Sequence, residues 1–248
     1  MPHKKAAVVL AAGKGKRMVS EIPKVLHLMN NRPMIKFLLD TLVKMDFDKI
    51  IVVIGFKGEM VQKELADYPV SFVWQKEQLG TGHAVMMAED ILSDFDGTTL
   101  VVLGDVPLLS ESSISHLLEK HFQAQVKATC LSALLDNPQG YGRIIRKGNT
   151  EFIKEIIEDK DAPEEVLKIK EINSGTFCFD NHTLFNTLSQ LDNNNSQGEY
   201  YLTDCVKALY NKNLEVLVVN VENADEILGV NSMEQLKYLE RKITGEKK

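Results

Sequence analysis

The first apolar run of the chain ends in a glycine-rich turn, and this junction constrains the fold more than any other segment. Residues 8–12 read Val-Val-Leu-Ala-Ala and residues 13–17 read Gly-Lys-Gly-Lys-Arg, with Pro23-Lys24 shortly behind. Glycines at a strand end leave backbone N–H groups free to bind an anion. Arg17 and Lys24 add positive charge beside them. The junction therefore predicts a strand-to-turn polyphosphate site, as found at the carboxyl ends of strands in α/β sheets.

Two common phosphate-binding motifs do not match this turn. Met18 stands where the third glycine of a dinucleotide fingerprint belongs, and no Gly-Lys-Ser/Thr follows as a Walker A loop requires. An ordinary strand-to-helix turn remains the alternative. The combination of Arg17 with Pro23-Lys24 disfavours it.

Short β-branched runs alternate with helical spacing through the first half of the chain. The strand-like runs are Ala6–Leu10, Ile50–Ile54, Val70–Trp74, Leu100–Leu103 and Lys127–Ala133. Apolar faces with helical spacing lie between them, over residues 34–45 and 84–92, and Ser110 is a predicted N-cap of a third helix. This alternation is typical of parallel βαβ units with helices on both faces of the sheet.

The second half has a different pattern. Hairpin-like runs occur at Arg143–Arg146, Phe152–Ile157 and Gly175–Phe179. Helical spacing returns at 182–191, 202–210 and 233–239, with a strand-like run at 215–219. No internal repeat is present. We therefore expect a single α/β domain over 1–248, with one mixed, mostly parallel sheet; residues up to about 110 bind the nucleotide and residues from about 111 shape the substrate pocket.

Composition excludes several classes of protein. The formal net charge is −6, and no block of lysines and arginines marks a duplex-binding face, so we expect no nucleic-acid partner. No apolar run approaches the roughly 20 residues of a membrane helix, and no signal peptide is recognisable. Cys130, Cys178 and Cys205 lack metal-binding spacing and predict buried free thiols in a reducing compartment. We expect a cytoplasmic protein without a membrane partner.

Two further strand ends carry functional groups. Asp105 follows Gly104 at the end of an apolar strand, where a carboxylate can hold Mg²⁺ together with substrate phosphates; capping of the next turn is the alternative. Gln75 ends another strand and offers both a donor and an acceptor to a nucleobase. Gly80 and Thr81 allow close backbone approach there. His83 is a possible general base, although a structural role is the commoner one for a histidine at this position.

In these motifs the chain resembles the bacterial N-acetylglucosamine-1-phosphate uridylyltransferases, a branch of the sugar-1-phosphate nucleotidylyltransferase family. The resemblance covers nearly the whole chain. The segments that carry it are residues 10–18, 23–24, 75–84, 140–144, 157–162, 171–175, 197–204 and 229–231.

The resemblance implies a Rossmann-like nucleotide-diphospho-sugar transferase fold and a Mg²⁺-dependent enzyme. Its reaction would transfer UMP from UTP to N-acetylglucosamine-1-phosphate, giving UDP-N-acetylglucosamine, a precursor of peptidoglycan and lipopolysaccharide, and pyrophosphate. The implied nucleotide-binding residues are Leu10, Ala11, Ala12, Gly13, Gln75, Gly80 and Thr81. The implied catalytic cations are Arg17 and Lys24, and the implied metal ligands are Asp105 and Asn231. The implied sugar-binding residues are Gly140, Glu158, Asn173, Glu199 and Tyr200.

The chain departs from the family in two respects. The family often has a tyrosine before the Gly-Asp of the metal strand, where this chain has Leu103, which leaves the strictness of the sugar preference open. The family's long form continues into a left-handed β-helix with acetyltransferase activity and trimerises largely through it. No hexapeptide repeats occur here, so either a single-activity enzyme or an excised domain is compatible with the sequence, and we expect a monomer.

Alternative functions keep the fold. One is transfer to another sugar-1-phosphate, or from a thymidine nucleotide. The other, from a different class, is a catalytically silent module that binds nucleotide for regulation. That alternative predicts the loss of at least one charged position, whereas Arg17, Lys24, Asp105 and Asn231 are all present.

Overall fold

A computed structural model describes residues 3–15, 18 and 20–244. These residues form a nine-stranded sheet and a small two-stranded hairpin. The strands of the large sheet are β1 (Lys5–Ala11), β4 (Lys49–Ile54), β5 (Ser71–Trp74), β6 (Thr98–Leu103), β7 (Ala128–Leu134), β8 (Arg143–Arg146), β9 (Phe152–Ile157), β10 (Glu171–Asp180) and β11 (Val216–Asn220). The hairpin pairs β2 (Leu28–Met29) with β3 (Arg32–Pro33).

Helices flank the large sheet. They are α1 (Met34–Lys44), α2 (Gly58–Glu64), α3 (Thr81–Met86), α4 (Glu89–Leu92), α5 (Glu111–Ala124), α6 (Glu164–Leu167), α7 (Asn181–Leu188), α8 (Asp204–Asn211) and α9 (Met233–Thr244). Short 3-10 turns span Lys24–Leu26 and Ala224–Ile227. Within the described residues, no helix has the length and hydropathy needed to cross a membrane.

The first half of the sheet is parallel. Its strands lie in the order β5, β4, β1, β6, and Val8 of β1 sits between Ile51 of β4 and Val101 of β6. Both faces are covered by helices, which is why these strands are continuous apolar runs. The carboxyl ends of β1, β5 and β6 thus open at the same edge of the sheet.

The second half is more antiparallel than the sequence indicates. Strand β10 runs antiparallel to β6, to β7 and, at one position, to β8, and β9 runs antiparallel to β11 and β8. Among the described strands, four of the eight neighbouring pairs in the large sheet are parallel. The prediction of a mixed sheet is confirmed, but the parallel share is smaller than predicted because a reversed strand, β10, joins the two halves.

The core forms two layers, one on each face of the sheet. Ala7 and Val9 of β1 pack with helix residues such as Leu38 and Leu117, whereas Val8 packs on the opposite face with residues such as Val85. This is the period-two alternation of a strand buried on both faces. All three cysteines are buried free thiols, which confirms that prediction.

Several element boundaries differ from the sequence prediction. The helical segment over 84–92 divides into α3 and α4, and Gly175–Phe179 is part of the longer strand β10. A register shift between Asn173 and Phe177 interrupts the pairing of β10 with β7. Ser110 caps α5 as predicted, its hydroxyl oxygen accepting from the Ser113 N–H at 3.1 Å.

Candidate active site

A cavity of about 750 Å³ lies along the sheet edge where β1, β5 and β6 end. It collects residues predicted from widely separated motifs. The predicted residues that line it are Leu10, Ala11, Ala12, Gly13, Lys24, Gln75, Gly80, Thr81, Asp105, Gly140, Glu158, Asn173, Glu199 and Asn231. Arg17 lies outside the described residues. Tyr200 is not among the described residues that line the cavity.

The turn after β1 forms a shallow cradle. A Cβ atom placed on Gly13 would meet nothing within 4 Å, so the space over this backbone is open. Gly15 has φ +58°, and a Cβ atom there would come within 2.8 Å of the Lys24 Cβ. The glycine at position 15 therefore lets the turn close over Lys24, which brings the cradle and a positive charge together.

Lys24 is held between two oxygen atoms from distant parts of the chain. Its ammonium forms an ion pair with Asp105 and donates to Oδ1 of Asn231 at 2.8 Å. The loop that carries Asn231 is tied to the turn after β6, because the Val230 N–H donates to the Asp105 backbone oxygen at 2.9 Å. Lys24 and Asp105 are both largely shielded from solvent, so their charges are weakly screened.

The oxygens around Lys24 fit a hard divalent cation. Asp105 and Asn231 converge on one positive charge, and carboxylate and amide oxygens are suitable ligands for Mg²⁺. The described residues contain no group of three or more histidine, cysteine or acidic side chains that could hold a metal ion alone. A cation held by Asp105 and Asn231 would therefore keep coordination positions for water and for the oxygens of a bound phosphate, as is usual for Mg²⁺.

On the strand β5 side, Gln75 is almost completely buried, with 3 % of its surface exposed. Its amide nitrogen donates to the backbone oxygen of Gly80 at 3.0 Å and lies 3.1 Å from Nδ1 of His83. Gly80 has φ +108°, a backbone conformation that favours glycine. The sequence suggests His83 as a general base in catalysis. In the structure, His83 contacts Gln75, the side chain predicted to bind the nucleobase.

On the far side of the cavity, Glu158 is half-buried and accepts a hydrogen bond from the Thr203 hydroxyl at 2.8 Å. Burial raises the pKa of Glu158 above its usual range, and the neighbouring charge of Asp204 adds to this, while the Thr203 hydrogen bond opposes it. Asn173 is held by its backbone N–H, which donates to the Gly142 oxygen at 2.9 Å. The arrangement offers a carboxylate and an amide to a polar ligand.

The two sides of the cavity share a wall, which is formed by residues 79–82 and 200–202. The Tyr200 N–H donates to the Leu79 oxygen and the Gly82 N–H donates to the Tyr200 oxygen, both at 2.8 Å. The Leu202 N–H donates to the Thr81 hydroxyl oxygen at 3.1 Å. A Cβ atom on Gly80 would lie 2.5 Å from the Tyr200 oxygen, so only glycine allows this approach. The predicted residue Tyr200 thus takes part through its backbone.

Two contacts at the site were not predicted. Thr203 positions Glu158, and the only signal for it in the sequence was its place in the 197–204 motif. Gly175, at φ +77°, packs under Leu103, where an added Cβ atom would come within 2.5 Å of the leucine side chain. The departure at Leu103 therefore fills space above Gly175 with an aliphatic side chain that lines the cavity.

The sequence matches the family model described as nucleotidyl transferase over residues 6–226. The bifunctional protein GlmU of Clostridium novyi (strain NT) is 50% identical over 232 residues, which cover 94% of this chain and 50% of that protein. The bifunctional protein GlmU of Geobacillus sp. (strain WCH70) is 44% identical over 238 residues, covering 96% of this chain and 51% of that protein. The chain spans about half the length of these curated relatives.

Among solved structures, a UDP-glucose pyrophosphorylase in complex with UDP-glucose superposes with a TM-score of 0.81. The match covers 98% of this chain and 100% of that one at 18% sequence identity. At that identity the likeness shows the fold, a mixed sheet flanked by helices, and confirms the predicted α/β nucleotidyltransferase architecture.

Proposed function

This chain belongs to the nucleotidyl transferase family, and on that premise we propose that it transfers UMP from UTP to N-acetylglucosamine-1-phosphate. The products are UDP-N-acetylglucosamine and pyrophosphate. Relatives named GlmU at 44–50% identity along almost the whole chain support this choice of substrates. The catalytic residues in this proposal are Lys24 and Arg17.

One observation carries the proposal. A single cavity is lined by the glycine-rich turn after β1, by the buried amide of Gln75 and by the polar side chains of Glu158 and Asn173. A nucleoside triphosphate and a sugar phosphate can therefore lie in one continuous space. In this proposal the residues up to about 110 bind the nucleotide, and those from about 111 to 248 bind the sugar.

The chemistry needs little from a general base. A phosphate monoester has a second pKa of about 6 and is mostly dianionic at neutral pH. An oxygen of the sugar phosphate attacks the α-phosphorus of UTP, the bond from that phosphorus to the bridging oxygen breaks, and pyrophosphate leaves. The obstacle is repulsion between two polyanions, so positioning and charge neutralisation supply the catalysis. Lys24, whose aliphatic stem packs beside Gly15 at the edge of the cradle, would do both.

Asp105 and Asn231 would hold Mg²⁺, which when bound would neutralise phosphate charge and orient the triphosphate. Lys24, which contacts the same two residues, would supply a second positive charge beside the metal ion. Gln75, Gly80 and Thr81 would bind the uracil, and Gly140, Glu158, Asn173 and Glu199 the sugar. We place the reaction in the cytoplasm, where the thiols of the three cysteines stay reduced.

A substrate panel tests the proposal. Pyrophosphate release is measured with N-acetylglucosamine-1-phosphate or glucose-1-phosphate, each combined with UTP or dTTP, in the presence of Mg²⁺. We expect the highest kcat/KM for UTP with the N-acetylated sugar. Equal rates with both sugars would contradict the sugar assignment, and no release with any pair would contradict the enzyme activity.

A further inference from the structure

The side-chain amide of Gln75 is held in one orientation. Its nitrogen, Nε2, lies 3.0 Å from the backbone oxygen of Gly80. A carbonyl oxygen only accepts hydrogen bonds, so the nitrogen end of the amide, and not its oxygen end, must face Gly80. This contact removes the usual ambiguity about which way a glutamine amide is turned.

His83 accepts a hydrogen bond from the second N–H of the same NH₂ group. Its Nδ1 lies 3.1 Å from Nε2 of Gln75, and a donor on one side requires an acceptor on the other. Nδ1 therefore carries the lone pair, and the ring proton of the neutral imidazole resides on the other nitrogen. Both protons of the Gln75 amide are thus used inside the protein.

The oxygen of the amide is what remains for a ligand. Oε1 of Gln75 accepts no hydrogen bond from any residue within the described part of the chain, although the side chain is only 3 % exposed. Gln75 lines the cavity next to Gly80 and Thr81. At this point the site presents a lone acceptor.

We propose that His83 is a positioning residue that holds Gln75 in this orientation and thereby makes the site select uracil over cytosine. The inference rests on the proposed function, since it concerns the base of the nucleotide. Uracil carries an N–H donor at N3, whereas cytosine has an acceptor there. An acceptor that faces N3 receives a hydrogen bond from uracil but none from cytosine. A buried polar group without a hydrogen bond weakens binding, so cytosine is disfavoured. Thymine has the same N3–H, so His83 does not separate thymine from uracil.

Two variants of nearly the same shape test the role of Nδ1. In His83→Leu a methyl carbon takes the position of Nδ1, and in His83→Asn the side-chain oxygen can take it and accept from Gln75. We expect the ratio of kcat/KM for UTP over CTP to fall about tenfold in His83→Leu, the worth of about one hydrogen bond. His83→Asn should restore most of the ratio. The ratio for UTP over dTTP should stay the same in both variants.

Calorimetric Kd values for UTP and CTP give the same ratio without turnover. Equal ratios in wild type and His83→Leu, or an equal loss in the Leu and Asn variants, would overturn the proposal. A wild type that binds UTP better than CTP in a His83-dependent way, yet releases no pyrophosphate, would instead contradict only the proposed function. Normal turnover with unchanged ratios would contradict the role of His83 but leave the proposed function standing.

A measurement on the wild-type protein keeps the proposal falsifiable if His83→Leu does not fold, which thermal denaturation reveals. In ¹⁵N-labelled protein, the ring nitrogens of His83 distinguish the two neutral tautomers. We expect an unprotonated Nδ1 and slowed exchange of the Gln75 side-chain NH₂ protons. A proton on Nδ1 of neutral His83 would overturn the proposal, because that nitrogen could not then accept from Gln75.

Discussion

The two sides of the cavity are built in different ways. The side that we propose binds the phosphates, called the phosphate side, is formed by residues 10–15 with Lys24, Asp105 and Asn231; it follows the ends of parallel strands and uses backbone and charge. The side that we propose binds the sugar, called the sugar side, is formed by residues 140–142, 158, 173 and 199–203; it lies on antiparallel strands and loops and uses hydrogen bonds among side chains and backbone.

The difference shows which forces each side depends on. Charge on the phosphate side acts over several ångströms and is strong where water is excluded. Hydrogen bonds on the sugar side act only at contact and contribute about 0.5–1.5 kcal/mol each. We therefore expect large effects on rate from the phosphate side, and smaller effects, confined to one substrate, from the sugar side.

Lys24→Met should have the largest effect, because it removes a cation that is shielded from solvent on the phosphate side. We expect transition-state stabilisation to fall by about 3–4 kcal/mol, a loss of at least a hundredfold in kcat/KM. Mn²⁺ binding without nucleotide, measured by electron paramagnetic resonance, should tighten, since the oxygens of Asp105 and Asn231 no longer serve the ammonium. Lys36→Met, which removes an ion pair between Lys36 on α1 and Glu64 on α2, is the matched control and should change neither value. A loss below tenfold would show that the phosphate side does not depend on Lys24.

Gly175→Ala should have an intermediate effect, on stability. Gly175 and Gly140 both have positive φ, +77° and +84°, but only Gly175 would push a Cβ atom into Leu103. Both variants should lose about 1–2 kcal/mol of unfolding free energy for the backbone conformation, and Gly175→Ala about 1–3 kcal/mol more for the overlap. Urea denaturation measures the difference. Adding Leu103→Ala should remove the extra loss; equal losses in the two glycine variants would contradict the packing assigned to Leu103.

Thr203→Val should have the smallest effect. It removes the hydroxyl that donates to Glu158 and should raise the KM for the sugar phosphate by about fivefold, for about 1 kcal/mol, with the KM for UTP unchanged. The pKa of Glu158 should rise further, since this hydrogen bond lowers it. Thr187→Val, which removes a buried hydroxyl in α7 away from the cavity, is the control. A parallel rise in the KM for UTP would show that the two sides are not separate.

The same contrast explains what could be predicted from the sequence. Glycines and charges after apolar strands are local signals, so Gly13, Lys24, Gln75 and Asp105 could be assigned to a cavity before the structure was known. The parallel half of the sheet was predictable for the same reason. Asn231 is different, since only the family resemblance indicated it, and the structure places it against Lys24 across 207 positions of the chain.

The sugar side contains few local signals. Thr203 contacts Glu158 across 45 positions of the chain. The antiparallel direction of β10 depends on how it pairs with β6 and β7, and the composition of β10 does not indicate it. The contact of Leu103 with Gly175 depends on two strands meeting side by side. Apolar periodicity predicts that such strands exist but does not specify which residues face each other across them.

The shared wall at Gly80 and Tyr200 has a thermodynamic consequence. The loop that would bind the base and the loop that carries Glu199 are joined by two backbone hydrogen bonds of 2.8 Å, so a shift of one moves the other. Any factor by which a bound nucleotide changes the affinity for the sugar phosphate must equal the factor by which the sugar phosphate changes the affinity for the nucleotide. Lengthening that wall by one residue would therefore change these two coupling factors equally, whatever it did to the affinity for either ligand alone.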